Sequence, residues 1–142
     1  MNQENTLLEQ LHTMHTKFGL DYNGEPRHLS YEEKAFRIAA MQEELNEFAE
    51  ADDLVGQYDA LIDLLVFCVG TMDRMGFPLQ EGFNTVMSCN LAKNVGQNGT
   101  KRGGFKADLV KPEGWQGPED ILTQILVKKT LEAKTYDTQS KE

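Results

Sequence analysis

The stretch Leu54-Val55-Gly56-Gln57-Tyr58-Asp59-Ala60-Leu61-Ile62-Asp63-Leu64-Leu65-Val66-Phe67-Cys68-Val69-Gly70-Thr71-Met72-Asp73-Arg74-Met75 decides the fold. It contains no proline, and Gly76-Phe77-Pro78 ends it. Its apolar side chains fall on almost every side of a helix, the pattern of a central, buried one. Its longest apolar run, Leu61 to Gly70, is broken by Asp63 and is too short to cross a bilayer.

Helical spacing continues on both sides. Leu7, Leu8, Leu11, Met14, His15 and Phe18 share one face of a first helix over residues 5–18. A turn rich in Gly, Asn and Pro follows. Ser30 then suits the N-cap of a second helix from Tyr31 to about Ala51, with Glu33 at the capping-box position. Asp52 and Asp53 form a short connection to the central helix. A fourth helix is expected over about Leu79–Lys93, and a fifth from Pro118 onward. The tail from Lys134 is polar and expected to fray. Strand signals are scarce. The fold class is therefore all-α, a four-to-five-helix bundle in a single domain over 1–142, its core at about 5–127.

The chain has 142 residues and a net charge of −9, from 23 acidic and 14 basic residues. That balance argues against a basic nucleic-acid face or a surface held to anionic lipid. A phosphate ligand would need a divalent cation between it and the protein. Cys68 and Cys89 form no CxxC pair and read as buried thiols of a reducing compartment. The polar start, Met1 to Thr6, shows no basic or apolar leader segment, and the expected location is cytoplasmic. The charge is uneven: residues 94–117 hold six of the twelve glycines together with Lys101, Arg102, Lys106 and Lys111.

Two acidic motifs carry the chemistry. On the second helix, Glu43-Glu44-Leu45-Asn46-Glu47 places Glu44 and Glu47 about 60° apart, side by side, and Glu43 shares a face with Glu47. Alone, this would be a solvated acidic stripe. On the central helix, Asp59 and Asp63 stand four apart among leucines, with no Lys or Arg between Arg37 and Arg74. Buried carboxylates without a cation are paired, protonated or bound to metal. A hard divalent ion bridging the two helices accounts for both motifs, and Mg²⁺ takes such oxygens while keeping waters for a phosphate. A ferritin-like di-iron site would need two helical Glu-x-x-His pairs. Glu9-x-x-His12 and Glu25-x-x-His28 are weak candidates, since Pro26 breaks the second. His15 reads as an ordinary helix-face residue.

Taken together, Glu43-Glu44-x-x-Glu47 and Asp59-Ala60-Leu61-Ile62-Asp63-Leu64-Leu65 resemble the all-α nucleoside triphosphate pyrophosphohydrolases. That superfamily includes MazG-type enzymes, dimeric dUTPases, dCTPases and phosphoribosyl-ATP pyrophosphohydrolases. Ser88-Cys89-Asn90-Leu91-Ala92-Lys93, Gly104-Phe105-Lys106, Lys111-Pro112-Glu113-Gly114-Trp115 and Pro118 resemble the phosphoribosyl-ATP branch, so the likeness runs from about Phe18 to Asp120. It implies hydrolysis between the α and β phosphates of a nucleoside triphosphate, with Mg²⁺ (or Mn²⁺ in its place) and a homodimer or dimer of dimers. It implies Glu43, Glu44, Glu47, Asp59 and Asp63 as metal ligands, with Glu44 or Glu47 positioning the attacking water. Asn90, Lys93, Arg102, Lys106, Lys111 and Trp115 would meet the substrate, Trp115 as a stacking surface or a loop anchor. MazG-type members carry ExxD on the third helix. Ala60 occupies the acidic position here, and Asp59 stands in one residue earlier. Two other readings stay open: phosphoribosyl-ATP as the substrate, and a catalytically silent helical dimerisation or nucleotide-sensing module.

Overall fold

The structure, a computed structural model, describes residues 5–141. Met1 to Glu4, which carry part of the leader reading, and Glu142 lie outside the described residues. Five helices make up most of it: α1 (Leu7–Lys17), α2 (Tyr31–Glu50), α3 (Leu54–Met75), α4 (Leu79–Leu91) and α5 (Glu119–Gln139). Two three-residue strands, β1 (Asn94–Gly96) and β2 (Asp108–Val110), pair antiparallel with Val95 opposite Leu109. The all-α expectation holds. The hairpin is a correction to the loop expected there, and α5 stays helical past Lys134, where fraying was expected.

Two compact units divide the chain. One comprises residues 5–79 and 129–141, the other Gln80–Lys128.

Local chemistry sets the helix ends in the first unit. Thr6 and Glu9 close a reciprocal capping box on α1. The Glu33 amide donates to Ser30 Oγ at 3.1 Å, as the sequence predicts, but the Glu33 carboxylate turns away to Arg74. Asp53 caps α3, accepting from the Gly56 amide at 2.6 Å. Gly76 closes α3 with φ +70, and a Cβ there would lie 3.0 Å from the Gly24 carbonyl oxygen. Only glycine suits that left-handed, crowded position.

α2 and α1 each pack against α3. Ala60 and Val69 of α3 are both 2% exposed, and Leu11 and Ala40 are buried with them. Phe36 meets Phe67 edge-on, with ring centroids 6.3 Å apart. Gly70 lets Leu11, His15 and Arg37 approach the α3 backbone.

The expectation of a fully buried α3 fails. Leu54 is 82% exposed and Tyr58 72%, and Leu61, Ile62 and Leu65 are exposed as well. The reason is geometric: α1 and α2 cover only part of a helix that is apolar on nearly every side. At 22 residues, α3 is also long and apolar enough, by length and composition, to cross a membrane. The shorter Leu61–Gly70 run understated it. Cys68 and Cys89 are unpaired and half-buried, where full burial was expected.

Candidate functional site

α2 and α3 lie side by side and bring their acidic motifs together. Glu44 and Asp63 are half-buried, whereas Glu43, Glu47 and Asp59 are exposed. Glu44 is the centre of the group. Its Oε2 is buried and has no hydrogen-bond partner. Burial pushes its carboxyl above the ordinary range, and the charge and hydrogen bond of Glu47 push it further, followed by the charges of Asp63 and Glu43. The charges acting on it most strongly are all of its own sign.

The nearest arginines of these helices are committed elsewhere. Arg74 Nε and Nη2 each donate to the Glu33 carboxylate at 2.8 Å, and Arg37 reaches the same group at 3.5 Å. Arg74 lowers the Glu33 carboxyl by that hydrogen bond and by its charge. Burial lowers the Arg37 guanidinium, and its Nε has no partner.

An unpartnered oxygen, a half-buried carboxyl and like-charged neighbours suit a hard cation, so the donor chemistry fits magnesium. Among the described residues, however, no three His, Cys, Asp or Glu side chains stand arranged to hold a metal ion. Glu43, Glu44, Glu47 and Asp63 share an electrostatic neighbourhood without being closed around a point. Asp59 is exposed, whereas Ala60 is buried at the α3 core.

The expected substrate residues lie in the second unit. Asn90 is half-buried near the end of α4, and its carbonyl accepts from the Lys93 amide at 3.0 Å. The Trp115 indole Nε1 donates to the Cys89 carbonyl at 2.7 Å. Lys93 and Lys111 both place Nζ 4.9 Å from the Trp115 ring centroid. This is the geometry of a loop anchor with two cations gathered on one indole. Arg102, with φ +49, forms a bidentate pair with Asp108 across the hairpin at 2.8 and 2.9 Å. The Leu109 amide and then Arg102 hold the Asp108 carboxyl low. Lys106 is exposed.

One cluster escaped the sequence reading. Asp73 is 7% exposed and takes hydrogen bonds from two histidines of α1. His15 Nδ1 lies 2.6 Å from Oδ2, and His12 Nδ1 lies 3.0 Å from Oδ1. His15 is 3% exposed, so the helix-face reading is corrected. The i, i+3 spacing of His12 and His15 was the available signal. Their partner is 58 residues away from His15, a distance no local pattern spans.

None of the curated proteins compared matches the chain. The family model for phosphoribosyl-ATP pyrophosphohydrolase matches residues 11–90, more than half of the chain. The matched span holds most of α1, all of α2 and α3 and both acidic motifs, and it ends at Asn90, before the Gly-rich segment. Members of this family are typically metal-dependent pyrophosphohydrolases within the MazG-like superfamily. With its paired α2 and α3 and their shared acidic neighbourhood, the chain belongs to the phosphoribosyl-ATP pyrophosphohydrolase family of hydrolases acting on phosphoric anhydrides.

Proposed function

We propose that the protein hydrolyses nucleoside triphosphates between the α and β phosphates, in the presence of Mg²⁺, to a monophosphate and pyrophosphate. The observation that carries this is Glu44: a half-buried carboxyl with an unpartnered oxygen, raised by burial and by three acidic neighbours drawn from two helices. A triphosphate brings about four negative charges, which such a cluster alone would repel. Glu43, Glu44, Glu47, Asp59 and Asp63 are the residues that would hold the cation, closing around it by side-chain rotation. Bound there, Mg²⁺ supplies charge neutralisation and acidifies a coordinated water, with Mn²⁺ as a substitute.

The chain's own part is positioning and proton transfer. The carboxylate of Glu44 or Glu47 holds a water and takes its proton as the water oxygen attacks phosphorus. The bond to the bridging oxygen breaks, and the two distal phosphates leave as pyrophosphate. Lys93, Lys106 and Lys111 supply positive charge for the polyphosphate. Arg102 does so by exchanging Asp108 for phosphate, since a carboxylate and a phosphate each offer two oxygens to its fork. Asn90 is assigned to a base or sugar contact. Trp115 holds the two lysines in place.

Two copies, or a dimer of such dimers, would complete the fold by covering the exposed apolar residues of α2 and α3, among them Phe36, Ile38, Leu54 and Tyr58. A second substrate reading, phosphoribosyl-ATP, is favoured by the family match itself. A panel of nucleoside triphosphates and phosphoribosyl-ATP, scored for pyrophosphate release with Mg²⁺, separates the two. Pyrophosphate from the triphosphates supports the first reading, and release from phosphoribosyl-ATP alone supports the second. No release from any substrate by folded protein leaves a silent sensing or dimerisation module.

A further inference from the structure

A cavity of about 450 Å³ lies wholly within the second unit. Cys89 and Ala92 line it from the end of α4 and the residue after it, and Pro112 and Trp115 line it from the segment before α5. Those four make an apolar wall, to which Ser88 and Gln116 add a hydroxyl and an amide. The volume, and an apolar wall with a few polar groups, are those of a small-molecule site.

The indole is tied by its edge and loosely covered on its ring. Nε1 donates to the Cys89 carbonyl at 2.7 Å, which holds the ring to the end of α4. Lys93 and Lys111 each bring Nζ to 4.9 Å from the ring centroid, and neither forms an ion pair among the described residues. Two ammoniums on one ring repel each other. A cation–π contact open to water is also weak beside a charge-assisted bond to phosphate. The two lysines are therefore gathered without a counter-charge and held by little.

The carboxylates of this unit do not cancel that charge. Glu113 is the one that lines the cavity. Asp108 is engaged by Arg102, and Glu81, Glu119 and Asp120 are not part of the wall. Two ammoniums against one carboxylate leave the place net positive. The unit as a whole, with six basic and five acidic residues, is the positive part of a chain whose net charge is −9. A flat apolar wall carrying two unpaired ammoniums fits an aromatic body joined to an anionic tail.

We propose that this cavity takes the nucleoside part of a nucleotide, its base stacked on Trp115 and its phosphates drawing Lys93 and Lys111 off the indole. Every base has a π face, so stacking alone does not choose among them. Ser88 and Gln116 each both donate and accept, and they are the groups in the wall that meet a base edge. The inference rests on the nucleotide reading above and adds where the base lies. It requires neither metal nor turnover.

Trp115 is the chain's only tryptophan, so its fluorescence reports this place alone. The full chain in EDTA is titrated separately with ATP, tripolyphosphate and adenosine, and acrylamide quenching is measured at the end of each titration. ATP is expected to change the emission saturably, with a midpoint below about 1 mM, and to shield the indole from acrylamide. Tripolyphosphate should change the emission without shielding, because it draws the lysines away and leaves the ring bare. Adenosine should bind at least about tenfold more weakly than ATP. Lys93→Gln with Lys111→Gln should weaken ATP at least about tenfold at an unchanged melting temperature, and Lys93→Arg with Lys111→Arg should keep it. Emission unmoved by ATP up to about 10 mM overturns the proposal. So does tripolyphosphate shielding as well as ATP, or the double glutamine variant titrating like the wild type. ATP shielding in EDTA without pyrophosphate release in Mg²⁺ leaves this inference standing and removes hydrolysis, and release without shielding does the reverse.

Discussion

Glu44 is the carboxyl on which the proposed chemistry turns. Folding raises its pKa, so the folded state holds a proton that the unfolded chain gives up from about pH 4.5. The stability tied to Glu44 is complete below that pH and is lost as pH rises through the raised value. Glu44→Gln should flatten this fall in melting temperature above pH 4.5, and saturating Mg²⁺ should reverse it by favouring the ionised form. A wild-type melting curve indifferent to pH across that range would contradict the assignment. Glu33 works in the opposite sense: Arg74 lowers it, so its contribution is present above pH 4.5 and is lost as pH falls through the depressed value. Glu33→Gln should therefore lower the melting temperature at neutral pH and flatten its fall toward acid, read by the same melting curves. The acidic motifs were legible because helical spacing alone sets Glu44 beside Glu47, and a central-helix Asp63 lacks nearby cations. The half-burial of Glu44, and the binding of His12 and His15 to Asp73, were not legible. Both arise where one helix meets another, and spacing within a helix carries no such information.

Among the elements, α3 was read to end at Met75 because Gly76 stops it chemically, and to start near Leu54, where Asp53, read as part of a connection, is the N-cap. Gly76→Ala should cost roughly 1–3 kcal/mol in denaturant unfolding, from left-handed strain and the close Gly24 carbonyl. A loss below a few tenths of a kcal/mol would show that the turn relaxes freely. The hairpin was missed for an opposite reason. β1 and β2 have three residues each, too few to show alternation, and Gly99, Gly103 and Gly104 in the connection read as loop. What fixes it is the Arg102–Asp108 pair together with the Asn98 amide on the Leu109 carbonyl at 2.8 Å, contacts that exist only once the strands have met.

At the scale of the whole molecule, the buried apolar core of the described chain is small, while large side chains of α2 and α3 stand in solvent. An all-round apolar α3 was a correct reading of composition. Its burial was not, because one chain provides too few helices to cover it. Light scattering at micromolar protein should give a dimer or tetramer, and Tyr58→Glu with Leu54→Glu should shift it toward monomer. A monomeric wild type would remove the proposed covering of that face. The central claim remains that carboxylates of α2 and α3 drive cleavage of a phosphoric anhydride. It is tested most directly by pyrophosphate release from a nucleoside triphosphate panel with Mg²⁺, comparing wild type with Glu47→Gln and Asp63→Asn. The account predicts release by the wild type and a loss of roughly 100-fold or more in each variant, with melting temperatures equal or higher as like-charge repulsion is relieved. Near-wild-type release by either variant would contradict it.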